Sequence, residues 1–250
     1  DAGSKKLVTL SHPFSVDVDS AKMEFYEPEK ETEDVVLFSK FGMIGEFFLG
    51  RMVGGVFEGS RSPGFEHPDT LFRIKDMPLR LCTAVRVDST KTYRYVRYFG
   101  PRGGFGNVSE VGFYSSWADT EPLKGDILGP QEGAHGSHSY FNVFDGHTDT
   151  SYDHPFDDGG WAGLDLGEKK AIGKIVYTPR NRDNFVRKDD LYELLVCHGG
   201  EWKSAGTQVA QSDSLLFRNI PKHALLLLRD LSRGEAERLF EYKDGVQKYW

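Results

Sequence analysis

GWAGLDLGEKKAIGKIVYTPRNRDNF, residues 160–185, is the stretch that decides the fold. Side chains alternate over 161–166, and a β-branched run follows over 174–178. Period-two alternation of that length predicts two short strands, with Gly167-Glu168-Lys169-Lys170 as the turn between them. Trp161 reads as a core residue alongside Leu164 and Leu166. After Pro179 come Arg180, Asn181, Asn184 and Phe185. A β-sandwich presents such a loop at its rim, where polar and aromatic groups meet a ligand without disturbing the core.

The alternation recurs outward from this stretch, at 93–98 (Tyr-Arg-Tyr-Val-Arg-Tyr), before the turn Pro101-Arg102-Gly103-Gly104, and again at 108–114. Residues 14–18, 22–26 and 35–38 alternate too and are expected to complete the sheets of the first half. With 18 Phe, 11 Tyr, 4 Trp and 28 Gly, and no long helical periodicity, the chain belongs to the all-β class. Its 250 residues suffice for two domains, each with its own core. Polar turn formers over 115–129 put the boundary near Ala118, giving domains 1–117 and 118–250. The acidic tract 27–34 reads as a solvated hairpin loop.

A net charge of -7 argues against nucleic acid, whose binding draws on clustered Lys and Arg. No apolar run approaches the ~18 to 20 residues of a membrane span, so no span is expected. No signal peptide is read at Asp1, and because no Met opens the chain, a removed leader or anchor and an upstream domain in the native protein are allowed for. Cys82 and Cys197 each sit in an apolar, strand-like segment and are expected as buried free thiols.

Four motifs, in order, carry a family resemblance: Phe144-Asp145-Gly146-His147-Thr148-Asp149-Thr150, Gly163-Leu164-Asp165-Leu166-Gly167, Pro179-Arg180 and Tyr192-Glu193-Leu194. Together they resemble the discoidin, or coagulation-factor C-type, family with its galactose-binding-like fold, over about residues 123–250. The ending, Ala236-Glu237-Arg238-Leu239-Phe240 and the strand to Trp250, is similar to a subgroup found in tandem-domain, cell-surface proteins of glycan-degrading bacteria. The first half looks like a diverged second copy. Val56-Phe57-Glu58-Gly59-Ser60 matches Val143-Phe144-Asp145-Gly146-His147 as an aromatic-acid-glycine turn, and the 93–98 and 108–114 strands resemble the family's closing hairpin. The implied fold is two β-sandwich (jelly-roll, galactose-binding-like) domains.

The Asp145 turn has the ingredients of a hard-cation site, since a curled loop offers carbonyls beside a carboxylate and a hydroxyl. In calcium-binding members of the family the positions matching Asn142, Asp145, His147 and Thr150 supply oxygens, and an acid matching Glu237 completes the shell. His147 stands where an acid is usual, so it would serve through its carbonyl. The reading without metal is an Asx-type turn closed by Asp145, with Gly146 at positive φ. Glu58 and Glu110, the first-half equivalents, have less support as ligands.

Catalytic readings find no scaffold. The histidines and acids over 135–158 lack the H-E-x-x-H pairing that places two zinc ligands on one helical face. No G-x-S-x-G elbow occurs. Adjacent acids such as Asp157-Asp158 would point to opposite faces of an extended chain.

A sugar offers one apolar face to an aromatic ring and hydroxyls to Arg or Asn. The resemblance places Arg180 on the family's P-R arginine and Tyr152 in the loop where members carry an aromatic. His154 and Asn184 are nearby choices. Arg180 has a structural alternative in a salt bridge to Asp183 or Asp189. Trp202 lies in a turn from which it either stacks on a ligand or packs. The expected function is therefore a non-catalytic pair of carbohydrate-binding modules, with possible structural calcium, in a secreted, periplasmic or cell-surface protein. The alternative is a structural accessory that orients or spaces a larger surface enzyme.

Overall fold

The computed structural model describes residues 28–42, 47–88, 90–133, 135–234 and 237–249. The strands expected over 14–18 and 22–26 lie outside the described residues. The architecture is all-β and sandwich-like, built from antiparallel sheets around two hydrophobic cores.

The first core lies between two sheets. One has five strands, β2 (Val56–Ser60), β3 (Asp69–Arg73), β5 (Thr92–Phe99), β7 (Asp126–Leu128) and β8 (Trp161–Ala171), ordered β3-β2-β5-β8-β7. The other has three, β4 (Thr83–Arg86), β6 (Glu110–Tyr114) and β9 (Lys174–Thr178), ordered β4-β9-β6. Alternation along β2 and β5 turns Phe57, Val96 and Tyr98 inward, where they meet Phe113 and Tyr177 from the facing sheet. Phe57 sits 5.3 Å from both Tyr98 and Tyr177 and edge-on to Phe113 at 6.2 Å. Such ring pairs add about 0.5–1.5 kcal/mol each beyond their burial.

The second core is largely aliphatic. It is formed by β10 (Leu191–His198), β11 (Glu201–Val209), β13 (Leu225–Asp230), β14 (Leu239–Lys243) and β15 (Val246–Tyr249), ordered β11-β10-β13-β14-β15, together with the pair β1 (Thr32–Leu37) and β12 (Leu215–Pro221).

Several expectations are corrected. Strand pairing crosses residue 118: β5 pairs with β8, and β4 and β6 pair with β9, so strands from both proposed halves build the first core. The segment expected to complete the first half, 35–38, instead contributes β1 to the second core. Val56–Ser60 is a central strand and no turn, which removes the proposed repeat. Neither β5 with β6 nor β8 with β9 forms a hairpin, because the members of each pair lie in different sheets. β8 runs on through 167–170, with Gly167 at φ 75 and Asp165 Oδ1 accepting from its N–H. Period two identifies a strand but says nothing about its partner. Trp161 lies on the outer face of β8 against Phe65 (5.9 Å) and Arg97 (5.4 Å), while Ala162, Leu164 and Leu166 face the core. Cys82 is exposed and Cys197 half-buried, and neither forms a disulfide among the described residues. Though Cys82 as a whole is exposed, its sulfur rests 3.3 Å from Thr178 Oγ1, and desolvation of that sulfur pushes the thiol up.

A charged hub joins the two cores. Lys40, 1% exposed, places Nζ 3.1 Å from Asp183 and 3.3 Å from Asp230. Asp183 also accepts from Arg187, and Asp230 Oδ1 accepts two backbone N–H groups, from Ser232 and Arg233. Around the hub the backbone is laced as well, Lys40 N donating to Asn184 O (2.6 Å) and Val186 N to Phe38 O (2.9 Å). Desolvated charges are tolerable only when so fully paired.

Candidate functional site

The loop 179–187 follows β9 and touches both ends of the site region. Asn181, buried, donates from Nδ2 to the carbonyls of Thr148 and Pro179 (2.9 Å each), which fixes the loop against the Asp145 turn. Arg187 donates to Thr148 Oγ1 at 3.0 Å. On the other side Arg180 reaches Asp153 Oδ2 at 2.5 Å. The arginine's structural role is thus met by Asp153, where Asp183 and Asp189 were the expected partners.

Arg180 belongs to an arginine cluster at the rim of the first core. Phe48, from the single-turn helix α1 (Phe47–Gly50), has Arg180 over its ring at 4.4 Å, Arg51 at 5.3 Å and Arg182 at 5.4 Å. Arg51 also lies over Phe105 at 4.6 Å. Asn107, fully buried, accepts on Oδ1 from Arg51 (2.8 Å) and Arg180 (3.5 Å) and donates from Nδ2 to Asp153 Oδ1 (2.6 Å). Burial lowers the Arg51 pKa, Asp153 opposes that shift, and the neighbouring Arg180 adds to it.

Glycine makes this rim possible. Loops 100–107 and 152–160 are joined by bonds from Gly100 N to Gly160 O (2.9 Å), Gly103 N to Asp157 O (2.7 Å) and His154 N to Phe105 O (2.7 Å). A Cβ on Gly160 would lie 2.7 Å from Gly106 Cα, and Gly106 itself has φ 61. No other residue allows the two backbones this approach.

Tyr152 is 0% exposed, its ring edge-on to Tyr140 and its hydroxyl 2.9 Å from His154 Nδ1, so it packs in the core and offers no face to a sugar. The cause is a bridge to Val108 that draws residue 152 under the rim. His154 is buried too, which lowers its pKa. Asn184 is buried at the junction, its Nδ2 directed to Phe41 O at 3.4 Å. Of the four expected sugar contacts, only Arg180 stands at the rim. Phe156, 59% exposed and 5.7 Å from the His154 ring, supplies the accessible aromatic in that loop. Trp202 is exposed on β11.

The Asp145 turn forms as an Asx turn. Asp145 Oδ1 accepts from His147 N (2.8 Å), both carboxylate oxygens accept from Thr150 Oγ1 (3.1 and 2.9 Å), and Gly146 has φ 81. Asn142 braces it, donating to the carbonyls of Ser137 (2.8 Å) and Ser151 (3.0 Å). Glu237 is engaged elsewhere, 2.9 Å from Arg229, and the acid beside the turn is Glu110 at the start of β6. Glu110 Oε2 accepts from Gly146 N at 3.1 Å. Burial first, and then Asp145, push its carboxyl up to about 8. Among the described residues no three His, Cys, Asp or Glu side chains gather as a metal-binding group.

Arg51, Phe48, Asn107 and Phe156 were missed as site residues. No periodic pattern marks 47–54, and only the glycine-rich runs near 103 and 159 signalled that two loops meet. No protein-family model matches the chain, and no curated protein or solved structure matches it either.

Proposed function

We propose that the chain is a non-catalytic carbohydrate-binding protein, a pair of β-sandwich modules of galactose-binding-like type working outside the cytoplasm, with its ligand site at the arginine rim. The reading is carried by one arrangement: an exposed aromatic, Phe156, three residues after the Asp153 that holds Arg180, with Arg182 exposed two residues on from Arg180. An aromatic face covers the apolar side of a sugar ring, and guanidinium groups held in place donate to its oxygens in pairs. Asn107 and Asp153 keep Arg180 ordered before any ligand arrives, which reduces the entropy lost on binding.

Calcium at the Asp145 turn belongs to the same proposal. The donors fit a hard cation, being the Asp145 and Glu110 carboxylates, the Thr150 hydroxyl and the His147 carbonyl, all oxygen. A bound ion would take the place of the Glu110 proton that otherwise relieves repulsion between the two carboxyl groups.

The test is a glycan-array screen of the intact chain, with calcium and with chelator. Reproducible binding to a related set of glycans is the expected result. Silence across plant, host and microbial glycans would discard the binding reading. It would favour the structural-accessory alternative, which the paired hub at Lys40 supports by tying both cores together.

A further inference from the structure

We infer that the polar cleft at the end of β2 remote from α1 is a binding site of its own, one that takes a neutral vicinal diol, as on a sugar ring or a cyclitol, with the Glu66 and Asp69 carboxylates accepting from its hydroxyls. The cleft shares no residue with the arginine rim, so the two sites stand or fall separately.

The cleft has a volume of about 350 Å³, within the ~300–1,000 Å³ of small-molecule sites. Its floor is Gly59 beneath Tyr93: a Cβ at residue 59 would lie 2.6 Å from the Tyr93 ring, so glycine lets the ring settle there. One wall is the loop 61–68, between β2 and β3, and Phe65 is its anchor. Phe65 is buried at φ 53, a left-handed conformation uncommon for a bulky residue, and its ring meets Tyr95 at 6.4 Å and Trp161 at 5.9 Å, with Arg97 over it at 4.2 Å. A strained residue persists only where its surroundings over-determine it, and such residues cluster at ligand sites. Here the pinned loop sets Glu66 and His67 on the cleft.

The polar groups of the cleft order one another. Ser60 Oγ donates to Ser62 O (2.9 Å) and accepts from Ser62 N (3.0 Å), and Ser62 Oγ donates to Glu66. Lys91 Nζ lies 2.6 Å from Asp69 Oδ1. The bond from Ser62 holds the Glu66 carboxyl below the usual carboxylate range, and that from Lys91 does the same for Asp69, so both are anions at neutral pH. A carboxylate has about four acceptor positions, so neither bond saturates its acid. Along the lining Arg61 and Lys91 balance Glu66 and Asp69. A charged ligand would have to displace a resident pair or bring an unmatched charge into the cleft. A diol donates to one acid and accepts from a neighbouring cation, leaving the pairs in place.

Solution NMR of the full chain, following the backbone amides between residues 59 and 69, tests this by titration. The probes are methyl galactoside and myo-inositol as neutral diols, trans-1,4-cyclohexanediol as a ring whose hydroxyls are not vicinal, and galacturonate and galactosamine as charged sugars. At least one neutral diol should shift those amides with a Kd of about 1–10 mM, a weak value because the buried Tyr93 offers no face for stacking. Whichever diol binds more tightly tells a sugar from a cyclitol. The cyclohexanediol should bind about tenfold more weakly, and neither charged sugar should bind more tightly than the better diol. Glu66→Gln and Asp69→Asn should each weaken that diol about fivefold or more, whereas Glu168→Gln, an exposed acid on β8, and Arg180→Ala at the rim should change it less than about twofold. Unshifted amides with both diols, equal binding of the cyclohexanediol, tighter binding of a charged sugar, or unchanged affinity in both acid variants would overturn the cleft as a diol site and leave the rim to its own array. A silent array beside a positive titration would remove the rim and keep the cleft.

Discussion

On one side of the 179–187 loop, Glu110 and Asp145 bring two carboxylates together; on the other, Arg51, Arg180 and Arg182 gather around Phe48. The acidic side is stabilised by backbone N–H groups and by keeping a proton on Glu110. The basic side is stabilised by aromatic faces and one shared carboxylate. Arginine does not shed its proton near neutral pH, whereas a carboxyl takes one up, so the two flanks answer crowding by different means. Both rest on a loop anchored at a third place, the Lys40 hub.

Breaking the hub should have the largest effect, because it removes the support common to both flanks. Lys40→Ala would leave Asp230 buried without its cation, Asp183 keeping Arg187, and should cost about 3–5 kcal/mol in urea unfolding. A loss under about 1 kcal/mol would show that the flanks do not depend on it.

Calcium should separate the flanks. At a hundredfold excess over Kd it should stabilise the chelated protein by about 2.7 kcal/mol, and Asp145→Asn should abolish the effect. No change in melting temperature at millimolar calcium would remove the metal from the acidic side. Arg180→Ala should cost about 1–3 kcal/mol without altering the calcium response, since it takes the cation only from Asp153, Asn107 keeping Arg51. A diminished calcium response would show that the two sides are coupled through the loop.

The legible part of this molecule was local. Alternation at 93–98 and 192–196 announced strands, and the glycine of 144–150 announced the Asx turn, because side-chain parity and positive φ are properties of neighbouring residues. Partner choice was hidden. Glu110 and Glu237 are both acids just before or at the start of a strand, and only the sheet pairing decides which meets the Asp145 turn. Tyr152 looked like a loop aromatic because its bridge to Val108, 44 positions away by number (152 − 108), leaves no local mark.

Glu110 sharpens the comparison by pH. Its carboxyl holds its proton up to about 8 in the native state, against 4.5 when unperturbed. The native state therefore binds more protons than the unfolded one between those values. Stability of the chelated protein should fall as pH rises through that window, by at most about 1.4 kcal/mol per pH unit from this group. Glu110→Gln should flatten the slope, and an unchanged slope would place its origin elsewhere. The smallest effect belongs to Arg182→Ala, which should leave unfolding within about 0.5 kcal/mol of the parent. A larger loss would make Arg182 part of the scaffold and not of a binding edge.

Because β1 is held by β12 while β15 closes the other sheet of the second core, the ends of the described chain both leave from one body, and the first core hangs between them as an excursion from Lys40 to Asp183. Tension applied between residues 28 and 249 would therefore run through the second core alone. The aromatic core and its arginine rim would feel no load until β1 was torn from β12. A single-molecule pulling trace should then show two rips in a fixed order, the aliphatic body yielding first and the rim keeping its shape while its anchor stretches.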